Sequence, residues 1–305
     1  MPSTRRFLLA PLGVSCPGRL AGTFLAAAAL VACGGGDGGK PTATVSSTAL
    51  SVTRYAAPAL LTINGTNLDN ISVSSTGCKN ITRLTSAPTA STSTTAYYGC
   101  TVSGAYSSNF AIVSNGSTVA TSKTFTVPAP EVTLTVNNTL GVNGNIVIAL
   151  AGDKVPVTVD NFLYYVNTHY YDGQIFDRVV PGFVVQGGIY GPSSDTGVLP
   201  PAKPTQPPIP LELDPTLLNK MWSVAMARGT SLDSATAEFY VNLAINQNLD
   251  GNYAVFGMVT AGTDVVMAMT NQTTAPALCT DNPLEGTDDC LPIPNVVIIN
   301  AVQSH

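Results

Sequence analysis

Arg178 is a lone cation among apolar neighbours in the stretch Phe176–Gly188, which reads Phe-Asp-Arg-Val-Val-Pro-Gly-Phe-Val-Val-Gln-Gly-Gly. Burying a charge costs several kcal/mol unless it is paired. An arginine in such a setting is therefore uncommon, and one account of it is a functional role. The competing account is that Arg178 lays its stem along a sheet edge and keeps its head in water. These thirteen residues leave both accounts open. Metal chemistry fits poorly, because no Cys-x-x-Cys occurs and His169 is the only histidine before the last residue.

The elements that must hold this stretch can be read from its punctuation. Phe176–Val180 and Phe183–Gln186 are strand-type runs, and Pro181-Gly182 between them is a strong turn signal. Upstream, Val132–Val136 and Asn145–Leu150 read as a strand pair with Gly144-Asn145 near its turn. Val155, Val159, Phe162, Leu163 and Val166 then recur at helical spacing, and Pro156 sits where a first turn tolerates it. Downstream, Trp222–Ala227, Phe239–Leu243, Tyr253–Val259 and Val296–Val302 are strand candidates, and Thr263–Thr270 is a second helix with Val265, Val266 and Met269 on one face. Many strands and two helices predict a mainly β domain, a closed barrel with helices over its ends.

At 305 residues there is room for about two domains. From Ala49 to Val127 short alternating runs such as Leu61-Thr62-Ile63, Ile71-Ser72-Val73 and Phe110-Ala111-Ile112-Val113 are broken by Asn64-Gly65, Ser103-Gly104 and Asn115-Gly116. That pattern predicts a small β-sandwich of roughly immunoglobulin size over 49–127. It gathers no catalytic residues, so a spacer suits it better than a binding module. Val127-Pro128-Ala129-Pro130 is a stiff joint to the second domain, at 131–305.

The N-terminus reads as an export signal over residues 1–32. Arg5, Arg6 and Arg19 precede the apolar run Leu20–Ala32, which is too short to span a bilayer. Removing those three cations, with no acid among them, moves the formal net charge from −5 to −8. An acidic chain with no basic cluster is a poor nucleic-acid binder. Leu30-Val31-Ala32-Cys33 resembles a bacterial lipoprotein signal, in which Cys33 becomes the lipidated first residue, and 33–48 reads as a flexible linker. Cys78 with Cys100 and Cys279 with Cys290 are left as two local pairs, for which disulfides are the natural reading in an exported protein.

Four ordered motifs carry a resemblance across about Val132–Val302. They are Pro156–Asn167 leading to Tyr171-Asp172-Gly173; Phe176–Gly188; Ser223-Val224-Ala225-Met226-Ala227-Arg228 with Ser234–Tyr240; and Leu249-Asp250-Gly251 with Tyr253–Gly257. On these motifs the second domain resembles a cyclophilin, most closely the bacterial periplasmic type. The resemblance implies an eight-stranded β-barrel and peptidyl-prolyl cis/trans isomerase activity, with no cofactor and no metal. A weaker resemblance, over Leu61–Leu68, links the front domain to IPT/TIG-type immunoglobulin-like folds.

The resemblance also assigns roles. Arg178 stands at the catalytic arginine position, Gln186 at the amide that helps orient it and bonds the substrate, and Phe183 at a position that lines the proline pocket. Val184, Tyr240 and Leu249 match pocket positions, and Ala227 and Arg228 match the edge along which an extended peptide lies. Tyr253 takes a place where many eukaryotic members have histidine. Glu238 stands where an amide is usual, and Asp177 replaces a histidine. Strand alternation predicts that Asp177 turns to the opposite face with little effect. The proline-rich insertion Leu199–Pro210 reads as an extended loop, with docking into its own groove as an alternative. The expected protein is a lipid-anchored, monomeric envelope isomerase acting on proline-containing polypeptides; the alternative is a non-catalytic chaperone using the same groove.

Overall fold

In a computed structural model of the chain, residues 40–104, 107–192, 199–272, 280–281, 288–289 and 291–305 are described. Cys33, Cys279 and Cys290 lie outside them, as does the export segment. The front part contains β1 (Thr44–Leu50), β2 (Pro58–Thr66), β3 (Ile71–Ser75), β4 (Cys78–Arg83), β5 (Thr95–Val102), β6 (Ser107–Ser108), β7 (Phe110–Ser114), β8 (Ser117–Thr121) and β9 (Phe125–Thr126). Strands in the order β1-β2-β5-β4 make one sheet and β3-β7-β8 a second, with β6 paired to β9. Leu61, Ile63, Phe110 and Ile112, from both sheets, are fully buried. β1 begins inside the stretch read as linker: residues 44–48 are strand, fixed by their pairing with β2. Cys78 and Cys100 are joined, with Cα atoms 5.9 Å apart, and tie β4 to β5.

The second part contains β10 (Glu131–Asn137), β11 (Asn143–Leu150), α1 (Pro156–Asn167), β12 (Ile175–Phe176), β13 (Arg178–Val180), β14 (Val184–Gly187), β15 (Ser223–Met226), β16 (Phe239–Asn242), β17 (Val255–Ala261), α2 (Thr263–Thr270), the short pair β18 (Thr280–Asp281) and β19 (Asp288–Asp289), and β20 (Val296–Gln303). One sheet runs β12-β20-β10-β11-β17-β15-β16-β14-β13. β12 and β13 are two pieces of a single path interrupted at Asp177, so nine segments follow eight strand courses. One piece pairs with β20 and the other with β14, which makes the barrel nearly closed. Gly187 permits that seam: a Cβ there would stand 2.4 Å from the Ile175 carbonyl oxygen.

α1 starts at Pro156, and its first turn is capped by Glu212, whose carboxylate accepts from the Thr158 amide at 2.8 Å and the Thr158 hydroxyl at 3.0 Å. An acidic group there also suits the positive end of the helix dipole. The buried face of α1 places Phe162 against Tyr171, Phe239 and Phe256 at one end of the barrel. The proline-rich segment lies along α1: Gln206 bonds the Tyr164 and Tyr165 hydroxyls, and the Lys203 carbonyl accepts from the Tyr170 hydroxyl. It is also tied to the chain on either side of the site, through Lys203 N–H to the Ile189 carbonyl and Ile209 N–H to the Ala235 carbonyl, each at 2.9 Å. Between the two parts, the Gln303 amide donates to the Tyr55 carbonyl at 2.9 Å, Tyr55 is fully buried beside Gly152, and Lys79 pairs with Asp160 of α1.

Candidate active site

Strand register builds the site. Paired residues on adjacent antiparallel strands share a face. Arg178 pairs with Gln186, Gln186 with Tyr240, and Tyr240 with Ala225, so one row crosses β13, β14, β16 and β15. The alternate row, Val179, Val185, Val241 and Val224, is at most 1% exposed and faces the barrel core. The lone cation and its amide therefore lie on the outer face because the valines beside them take the inner one.

The turn Val180-Pro181-Gly182-Phe183 brings Phe183 back over this face. Phe183 N–H donates to the Val180 carbonyl at 3.0 Å, and Gly182 has φ of 77°, the left-handed value that a type II turn demands at its third residue. The Arg178 guanidinium carbon is 5.7 Å from the Phe183 ring centre, and its Nη1 donates to Gln186 Oε1 at 3.3 Å. Val184, Ala225, Ala227, Tyr240, Leu249 and Val255 form an apolar cluster separate from the main core, with Phe183, Leu217 and Tyr253 packed on it. All the residues assigned to the proline pocket thus meet in one place. Arg228 closes one edge: its guanidinium carbon lies 4.5 Å from the Tyr253 ring centre, and its Nε donates to the Asn252 carbonyl at 2.8 Å. Tyr253 stands edge-on to Tyr240 at 5.8 Å. The Ala227 amide is not open to a ligand, because it donates to the Glu238 carbonyl at 2.9 Å.

Two carboxyls stand beside the cation. Burial pushes Glu238 above the usual carboxylate range, while a hydrogen bond from Gln186 and the charge of Arg178 hold it down. Burial, and then the charge of Glu238, push Asp177 well above that range; a bond to its own backbone and Arg178 oppose this. Asp177 Oδ1 is buried with no hydrogen-bond partner among the described residues. The premise that strand alternation governs Asp177 is corrected: the residue sits in the break between β12 and β13, where alternation does not apply, and burial and the charge of Glu238 act on it together.

Sequence reasoning missed what stands behind the pocket. Asn219, Asn242 and Asn246 are buried, and their side chains connect to Tyr240, Phe183 and Asp250. Asn219 and Asn246 lie outside the strand and helix runs, and Asn242 ends the strand β16, so no periodic signal marks the three as a group. Among the described residues no group of three or more His, Cys, Asp or Glu is placed to hold a metal ion.

The family described as "Cyclophilin type peptidyl-prolyl cis-trans isomerase/CLD" matches residues 132–301. Peptidyl-prolyl cis-trans isomerase A of Dickeya dadantii is 47% identical over 127 residues, covering 40% of this chain and 64% of that protein. A peptidyl-prolyl cis-trans isomerase of Acinetobacter baylyi is 40% identical over 137 residues, covering 43% of this chain and 70% of that protein. One of Streptomyces antibioticus is 42% identical over 134 residues, covering 41% and 77%. The chain thus spans less than two thirds of the Dickeya protein's length.

Proposed function

The chain belongs to the cyclophilin-type peptidyl-prolyl cis-trans isomerase family, and we propose that it accelerates rotation about X-Pro bonds in polypeptide substrates. Amide resonance sets a barrier of about 18–20 kcal/mol to that rotation, and the unaided reaction takes tens to hundreds of seconds. In the twisted state resonance is lost and the prolyl nitrogen regains its lone pair. A donor aimed at that nitrogen stabilises the twisted amide more than the planar one, which is what lowers a barrier. Arg178 is that donor. Gln186 holds the guanidinium through Oε1. Phe183, Val184, Tyr240 and Leu249 grip the proline ring, and Ala227, Arg228, Glu238 and Tyr253 border the peptide. No bond is made or broken, so no nucleophile, cofactor or metal is needed.

The observation that carries this reading is the register-fixed row Arg178–Gln186–Tyr240 beside a separate apolar cluster. The test is isomerisation of a short cis-proline peptide by wild type and Arg178→Ala. Loss of one preorganised donor lowers the rate by about 10²–10³-fold in comparable sites; full retention of the rate in the variant overturns the assignment. A second reading, peptide binding without turnover, is favoured by one feature: Glu238 draws on the charge of Arg178. Peptide binding by a protein with no isomerase activity would establish it.

We further propose that the protein acts as a monomer in the cell envelope of a bacterium, anchored through lipidated Cys33. The basic front, the apolar run and the glycine-rich tail after Cys33 support this. The front domain reads best as an immunoglobulin-like spacer, supported by its four- and three-stranded sheets. Cys33→Ser should release the protein from membranes; unchanged membrane partition refutes the anchor.

A further inference from the structure

Three walls of the proline pocket come from distant parts of the chain: Phe183 after the β13–β14 turn, Tyr240 on β16, and Leu249 in a short helical turn. One buried polar network joins all three from behind. The Tyr240 hydroxyl donates to Asn219 Oδ1 at 2.8 Å, and Asn242 Nδ2 reaches the same oxygen at 3.2 Å. Asn246 Nδ2 donates to Asn242 Oδ1 at 2.7 Å and to the Phe183 carbonyl at 3.1 Å. The Asn246 amide donates to the Asn219 carbonyl at 2.8 Å, and the Leu249 amide to the Asn246 carbonyl at 3.0 Å.

The orientation of Asn219 is dictated and not free. Its backbone N–H and its Nδ2 both face Asp250 Oδ1, at 2.7 and 3.0 Å. The backbone N–H can only donate, so that carboxylate oxygen is the acceptor, and the side-chain amide must present its NH2 there too. Its carbonyl oxygen is then turned towards Tyr240 and Asn242. The Tyr240 hydroxyl lies in a buried setting that raises its pKa, so it keeps its proton and needs an acceptor. Asn219 is 1% exposed and Tyr240 3%, so water is a poor substitute.

We propose that Asn219, oriented by Asp250, is a positioning residue of the proline pocket: it fixes the Tyr240 ring against Phe183 and Leu249 by accepting the Tyr240 hydroxyl proton. It touches no substrate and acts through Tyr240. Asp250 and Leu249 are chain neighbours, so the same anchor sets both the ring and the opposing wall. The inference rests on the isomerase reading. It predicts an effect on proline-ring binding that is distinct from the effect of the Arg178 donor on the rate of rotation.

The test is a set of kcat and KM measurements on a cis-proline peptide with wild type, Asn219→Ala, Tyr240→Phe and the double variant. Asn219→Ala leaves the Tyr240 hydroxyl buried without its acceptor, which pulls the ring out of place. KM is expected to rise about tenfold, equivalent to about 1.4 kcal/mol, with kcat at saturation nearly unchanged. In the Tyr240→Phe background no hydroxyl needs an acceptor, and the same Asn219→Ala change should move KM less than about threefold, or about 0.7 kcal/mol. Equal effects in both backgrounds, or a loss confined to kcat, overturn the proposal. Asp250→Ala serves where Asn219→Ala does not fold. It removes the oxygen that both Asn219 donors face, so the Asn219 amide is no longer forced one way, KM should rise and Tyr240→Phe should again blunt the rise; an unchanged KM overturns the proposal. Inactive wild type would instead refute the isomerase reading itself.

Discussion

The two faces of the same four strands contrast directly. Inward, Val179, Val185, Val241 and Val224 satisfy themselves by packing, and only size and shape matter. Outward, Arg178, Gln186 and Tyr240 occupy the matching row, and their polar groups are paired: Arg178 with Gln186, and Tyr240 with Asn219. One strand pattern thus carries stability on one side and chemistry on the other, one residue apart. The inner face should tolerate loss of precision at a cost in free energy of folding, and the outer face should lose function with little cost in stability.

The largest expected separation follows from that contrast. Arg178→Ala should remove most isomerase activity while leaving thermal stability nearly unchanged. Val241→Ala deletes two buried methyl groups at about 0.8 kcal/mol each, before any cavity cost. It should lower stability by about 2 kcal/mol or more and leave the kcat/KM of the folded fraction close to wild type. Denaturant unfolding together with the isomerase assay measures both, and a variant that shifts both quantities together would blur the two faces.

An intermediate effect is expected from the two carboxyls beside Arg178, Asp177 and Glu238. Asp177 holds its proton more tightly folded than unfolded, because burial and Glu238 raise its pKa. Its folded-state stability is therefore greatest below the unfolded carboxylate range and falls as pH rises through the raised value. Asp177→Asn should flatten that decline and raise the melting temperature at neutral pH; a melting curve with unchanged pH dependence counts against it. Glu238 also has a raised pKa, and protonating it frees Arg178 from a counter-charge. Activity should rise severalfold as pH falls through that value, and Glu238→Gln should be more active at neutral pH and lack the inflection. A wild-type profile with the same inflection in the variant argues against Glu238 as its source.

The smallest effect belongs to Lys79 and Asp160, the ion pair between the front part and α1, where both side chains are partly exposed. Such pairs contribute about 0–1 kcal/mol. Lys79→Ala should shift unfolding within that range and leave isomerisation untouched. A large activity change would mean that the front part reaches the groove through α1.

Much of the barrel was legible beforehand. The α1 and α2 spans follow from apolar spacing, with Pro156 at the start of the first. The strands around the site follow from β-branched runs, and Arg178 stood out as a cation in apolar company. In the front part β4 and β5 escaped notice: Thr95–Val102 alternates buried and partly buried positions, but its threonines, tyrosines and glycine do not form an apolar run. Residues 44–48 read as linker because they are rich in serine and threonine, and only pairing with β2 makes them part of a strand. Nothing local in the sequence marks the break in the strand at Asp177.

The sequence by itself determined which residues alternate, where helices fall and that one arginine lies beside a proline-glycine turn. These are short-range matters, set by side-chain period and by the φ values that proline and glycine permit. Only the tertiary structure decided that Arg178, Gln186 and Tyr240 form one row, that Asp177 and Glu238 share a field, and that Asn219 faces a hydroxyl 21 residues away in the chain. Register between strands, and the need of each buried polar atom for a partner, are satisfied across the fold and not along the chain.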